Sequence, residues 1–256
     1  MSGRSNDGKT YFINSKRLGE VRFSPDHPFN PERVKRVYRM CGERGLFDSP
    51  RVAVVSVEEA EDGVLERFHT DEYVAALRRA NDGAEVDVEM LHRGIGTTEN
   101  PVFRGVYCFA ALSAMGSLEA ARLMIGGAAG AFNPCGGFHH AHRDRASGFC
   151  YANDIAIAID ELRRAGLRVA YVDIDAHHGD AVQEAYYADD AVLAISVHET
   201  GKTLFPWGGF ERETGAGSGL GYNVNVPLEP GADDDIFLLL FREIAMDALA
   251  RFRPDI

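Results

Sequence analysis

At 256 residues and 45% hydrophobic composition the chain can bury one large core or two small ones. Nothing in it reads as a linker, so a single domain over 1–256 is expected. A formal charge of −12 with pI near 5.2 argues against a protein that grips the nucleic-acid backbone, which needs a clustered basic surface. Cys41, Cys108, Cys135 and Cys150 have no CxxC spacing, residues 1–10 are polar, and the apolar window 109–132 is broken by Glu119, Arg122 and several glycines. Reduced thiols, no secretory signal, no membrane span and a cytoplasmic location follow as expectations.

In chain order, residues 10–13 read as a first strand, and the Pro-punctuated loop His27-Pro-Phe-Asn-Pro-Glu-Arg33 leads into a helix over 34–44, stopped by Gly45. Residues 52–57 are a β-branched strand. Residues 63–68 and 71–80 read as helix, with Leu65, Phe68, Tyr73, Val74 and Leu77 turned inward and His69 between them as a structural or capping residue. After the loop 94–101, residues 106–125 form a long small-residue helix or pair of helices, and 128–133 a short strand that delivers the loop 134–142. In that loop Gly136-Gly137 precede the adjacent pair His139 and His140, so the backbone is free to bring both rings into a crowded pocket. A helix over 153–164 has Ile155, Ile159 and Leu162 on one face, with acidic Asp154 at its start and Arg163-Arg164 at its end, as the helix dipole prefers.

The strand 169–172 then runs into Asp173-Ile-Asp-Ala-His-His-Gly-Asp180. Alternation along an extended chain puts Asp173, Asp175 and His177 on one side and Ile174 on the other, at the carboxyl end of a buried parallel strand, where open α/β sheets place their chemistry. A helix opens at 179–180, the strand 192–197 ends at His198, and together they make a βαβ unit. The Gly-rich loop 204–221 matches no nucleotide-binding spacing. A strand over 222–226 and an amphipathic helix over 233–251 follow, and residues 253–256 look like the opening of another strand.

Imidazole and carboxylate suit a zinc-type divalent metal, and Asp175 with His177 supplies both. Asp173 and Asp180 can stand behind, each accepting a hydrogen bond from a histidine Nδ1–H and so fixing its tautomer. With a metal acidifying water and two histidines moving protons, the natural reaction is hydrolysis of an amide.

Gly136-Gly-Phe-His-His-Ala, Ala146-Ser-Gly-Phe-Cys-Tyr-Ala-Asn-Asp154 and Asp173-Ile-Asp-Ala-His-His-Gly-Asp180, with the 27–33 loop, Phe68-His-Thr70 and Tyr222-Asn-Val-Asn-Val-Pro227, resemble the signature blocks of the histone deacetylase family. That family includes bacterial acetoin-utilisation-type and acetylpolyamine deacetylases. The resemblance implies an α/β, three-layer arginase/deacetylase fold with a mainly parallel central sheet flanked by helices. It makes His139 and His140 the tandem catalytic histidines, partnered by Asp173 and Asp180 respectively. Asp175 and His177 become ligands of one catalytic Zn2+, and Phe149 and Phe205 the walls of an acyl-lysine tunnel. Glu99 stands where many relatives have an Asp that grips the substrate backbone. A structural K+ is implied at Asp173, Asp175, His177, Ser196 and Val197.

The family's third zinc ligand and its transition-state tyrosine would fall after Ile256. The substrate implied is an acetylated lysine or acetylpolyamine, with homo-oligomers open. A non-catalytic acyl-binding or scaffold domain and a manganese ureohydrolase are the alternatives.

Overall fold

The computed structural model describes residues 8–21 and 27–256. The chain folds as two compact units, Met1–Glu161 and Leu162–Ile256. Among the described residues every pairing between strands is parallel, as the α/β reading requires, and the strands form two three-stranded sheets.

In the first unit the elements are β1 (Thr10–Asn14), α1 (Glu32–Glu43), β2 (Val52–Ser56), α2 (Asp71–Asn81), α3 (Val88–His92), α4 (Val106–Ile125) and β3 (Gly130–Phe132). The sheet runs β2-β1-β3, with Phe12 opposite both Val54 and Phe132. Phe12 is buried against the rings of Tyr38, Phe47 and Phe132, at centroid separations of 5.9, 5.2 and 5.4 Å. Helix α2 starts where the Thr70 hydroxyl accepts the Tyr73 N–H, which satisfies one of the donors a helix start leaves open. By length and composition α4 could cross a membrane, but 56% of its apolar window is buried inside the protein, where it packs on β1 and β3.

Two expectations change here. Residues 63–68 are successive turns instead of a helix: Gly63 has φ +74, outside the right-handed helical region, although Leu65 and Phe68 are buried as expected. Helix α3 has no counterpart among the sequence-predicted elements; Asp87 starts it by accepting the Met90 N–H at 2.7 Å.

Helix α5 (Asp154–Arg164) spans the boundary between the units. The second unit holds β4 (Val169–Asp173), α6 (Asp180–Tyr186), β5 (Val192–Glu199), β6 (Asn223–Leu228), α7 (Asp234–Leu240) and α8 (Met246–Phe252). Its sheet runs β4-β5-β6, and the register sets Asp173 beside Ser196.

The helix expected over 233–251 passes through a π-helical turn, Phe241–Ala245, between α7 and α8. Its core-facing stripe begins only there: α7 buries none of its residues, while Ala245 and Phe252 pack with Leu193 and Ile195. At the far edge of β4, the Ala170 N–H donates to the Ile256 carbonyl and the Asp255 N–H to the Arg168 carbonyl, which is strand-like pairing where the sequence suggested one opening. All four cysteines are free thiols.

Candidate active site

The loop expected to present the histidine pair is built on one buried carboxylate. Asn153 caps α5 by accepting the Ala156 N–H at 2.9 Å, which leaves the Asp154 side chain available to another segment. Asp154 is 1% exposed, and its oxygens accept the Gly137 N–H (3.1 Å), the Phe138 N–H (2.8 Å) and the Ser117 hydroxyl (2.5 Å). Burial raises its pKa, and those three donors counter only part of that effect.

Gly136 is required by this contact, since a Cβ there would lie 2.3 Å from the Asp154 carboxylate and 2.8 Å from the Ser117 hydroxyl. Gly137 adopts φ +100. The rings of His139 and His140, 7% and 4% exposed, lie 4.0 Å apart between centroids. The sequence marked Asp154 only as a favourable helix start, so its hold on the loop was missed. The available signal was an Asn-Asp pair of which one residue suffices as a cap.

His69 is structural, as expected: buried, with its Nε2 accepting the Asn153 N–H at 3.0 Å, and burial takes its pKa down to about 4. Phe149 sits at φ +69 with its ring edge-on to His27 at 4.8 Å. The Phe29 N–H donates to His27 Nδ1, so His27 Nε2 carries the proton and donates to the Glu99 carbonyl at 3.0 Å. Glu99 and Phe149 are therefore joined through one histidine. Cys135 is no nucleophile, because burial pushes its thiol up to about 12.

In the second unit the extended alternation expected over 173–177 is replaced by two consecutive side-chain turns. The Asp175 N–H donates to Asp173 Oδ1 (3.0 Å) and the His177 N–H to Asp175 Oδ1 (2.8 Å). Short Asp side chains close such turns readily, and β4 ends at Asp173 as they begin. The result still brings the expected pair together: His177 Nδ1 lies 3.0 Å from Asp175 Oδ1, with the side chains 43% and 54% exposed.

Asp173 is buried and accepts from the Tyr171 hydroxyl. Asp180 begins α6. Ser196 and Val197 lie on β5, Ser196 level with Asp173, and Phe205 approaches His177 at 6.3 Å between ring centroids. An imidazole nitrogen and a carboxylate oxygen about one ligand–ligand edge apart fit a zinc-type ion by donor chemistry. Among the described residues, no group of three or more such side chains assembles.

The model of the histone deacetylase domain matches residues 27–256. The chain belongs to the histone deacetylase family. It is 40% identical over 247 residues to the acetoin utilization protein AcuC of Bacillus subtilis (strain 168), covering 96% of this chain and 63% of that relative. To histone deacetylase clr6 of Schizosaccharomyces pombe it is 38% identical, covering 96% and 61%. The crystal structure of an HDAC homolog from Aquifex aeolicus superimposes with a TM-score of 0.89 at 34% identity, covering 97% of this chain and 67% of that one. The α/β fold with parallel sheets flanked by helices is thereby established. The chain spans less than two thirds of the length of both curated relatives.

Proposed function

We propose that this chain is the greater part of a zinc-dependent deacetylase that hydrolyses the acyl amide of an acetylated lysine or acetylpolyamine. The observation that carries the reading is the buried pair His139 and His140, packed ring against ring on a loop that Asp154 fixes. Two adjacent imidazoles suit amide hydrolysis, which needs one group to take a proton from water and another to give one to the departing amine nitrogen. Asp173 and Asp180 are assigned as the carboxylates that set the tautomers of these histidines, on the family resemblance.

Asp175 and His177 would hold the zinc. When bound, the ion supplies a Lewis acid for the amide carbonyl and a more acidic water. Phe149 and Phe205 would pack the aliphatic stem of the substrate, and Glu99 would grip its backbone. A structural K+ at Asp173, Asp175, His177, Ser196 and Val197 is part of the same reading. So are a single catalytic domain over 1–256 and a cytoplasmic location.

The test is hydrolysis of a fluorogenic acetyl-lysine peptide by zinc-loaded protein that extends past Ile256. Turnover abolished by His140→Ala is the expected result. Tight binding of the peptide without turnover, with the metal fully loaded, would replace the enzyme reading with an acyl-binding one.

A further inference from the structure

In the second unit the ligand pair and the aromatic loop share a partly buried polar support that the proposed chemistry does not use. Gln183, on α6, is its centre. Its Oε1 accepts from Asn223 Nδ2 and Asn225 Nδ2, both at 2.7 Å, and from His178 Nε2 at 3.1 Å. Its Nε2 donates to Glu213 Oε2 at 2.7 Å. The orientation of the amide is fixed by chemistry, since a carboxylate only accepts and must face the NH2 end.

Glu213 Oε2 also accepts the Gly209 N–H at 3.2 Å, while the Gly209 carbonyl accepts from His198 Nε2 at 2.9 Å. Gly209 is pressed onto both histidines: a Cβ there would come within 2.4 Å of His198 Nε2 and 2.6 Å of His178 Cγ. Burial would raise the Glu213 carboxyl, but donation from Gln183 and from backbone N–H groups outweighs it and holds the pKa below the ordinary value.

One amide therefore ties together three segments: His178, the neighbour of the ligand His177; β6 through two asparagines; and, through Glu213 and Gly209, the loop that carries Phe205. We propose that Gln183 is a positioning residue that locks the Asp175–His177 pair and the Phe205 loop into one register, so that the acyl stem and the metal-facing groups are held at a fixed offset. This rests on the metal and tunnel roles proposed above. The role needs an amide, because Leu satisfies neither end, and Glu keeps the acceptor but sets a second carboxylate against Glu213.

The chain contains a single tryptophan, Trp207, exposed on this loop, so its anisotropy reports loop mobility without metal or substrate. In the metal-free chain, Gln183→Leu is expected to add a fast anisotropy component at Trp207. The same variant is expected to weaken zinc binding about 10–100-fold in a chelator competition, the usual scale for groups that orient metal ligands. Glu213→Ala should free Trp207 while leaving zinc affinity unchanged, and Glu213→Gln, which keeps an acceptor oxygen, should restore the wild-type anisotropy.

A folded Gln183→Leu variant with wild-type anisotropy and wild-type zinc affinity overturns the proposal. Should Gln183→Leu fail to fold, equal anisotropy in Glu213→Ala and Glu213→Gln overturns it. Zinc binding no weaker in Asp175→Ala than in wild type would instead sink the metal reading, and the Trp207 comparison then decides the clamp alone.

Discussion

The loop 134–142 and the loop 173–180 both deliver histidines, but they are held in opposite ways. The first is fixed from a distance: Asp154, on a later helix, reaches back to two N–H groups and a hydroxyl, and both rings it steadies are buried. The second is fixed locally, by turns in which each Asp accepts the N–H two residues on, and its outer pair keeps about half of its side-chain surface exposed. Groups that must hold and move protons benefit from exclusion of water and a fixed partner geometry. Groups that must take up an ion need their donor atoms accessible, with orientation supplied from behind. On the roles proposed above, the contrast separates proton handling from metal binding.

That contrast can be broken most forcefully at Asp154. Asp154→Leu strands the buried Phe138 N–H together with the half-buried Gly137 N–H and Ser117 hydroxyl, and a loss of about 3 kcal/mol is expected. Urea denaturation measures it, and hydrogen exchange should show the Gly137 and Phe138 amides newly unprotected. A loss no greater than that of an ordinary surface substitution would mean that the histidine loop does not depend on Asp154.

His69 gives the next largest effect. Its folded pKa near 4 lies below the unfolded value of 6.5, so below pH 6.5 the unfolded chain binds a proton that the folded one refuses. The stabilisation is complete above pH 6.5 and is lost as pH falls toward 4, by roughly 3 kcal/mol over that window. Urea midpoints should fall across it, and His69→Gln should flatten the slope. The smallest effect belongs to the second loop. Asp175→Ala removes one exposed turn, so unfolding free energy should drop by only about 1 kcal/mol.

The strands were legible because β-branched runs such as 52–56 and 192–197 have one good use, and the two chemical loops were legible from residue type alone. What escaped depended on contacts between distant segments. Asp154 and Gly137 lie 17 residues apart, and Gln183 and Glu213 lie 30 apart, so neither pairing has a local pattern. The helical reading of 63–68 failed on backbone grounds, since apolar spacing does not register the positive φ of Gly63. In α7 the periodicity was present while burial was not, because hydrophobic spacing says which face could pack and not whether anything covers it.

The separation of roles is tested most directly by measuring zinc content and acetyl-lysine hydrolysis together in His140→Ala and Asp175→Ala, in protein extending past Ile256. His140→Ala should keep its zinc and lose activity by about 10²–10⁴-fold, whereas Asp175→Ala should lose both. Equal loss of zinc in the two variants would contradict the division between the buried loop and the exposed one.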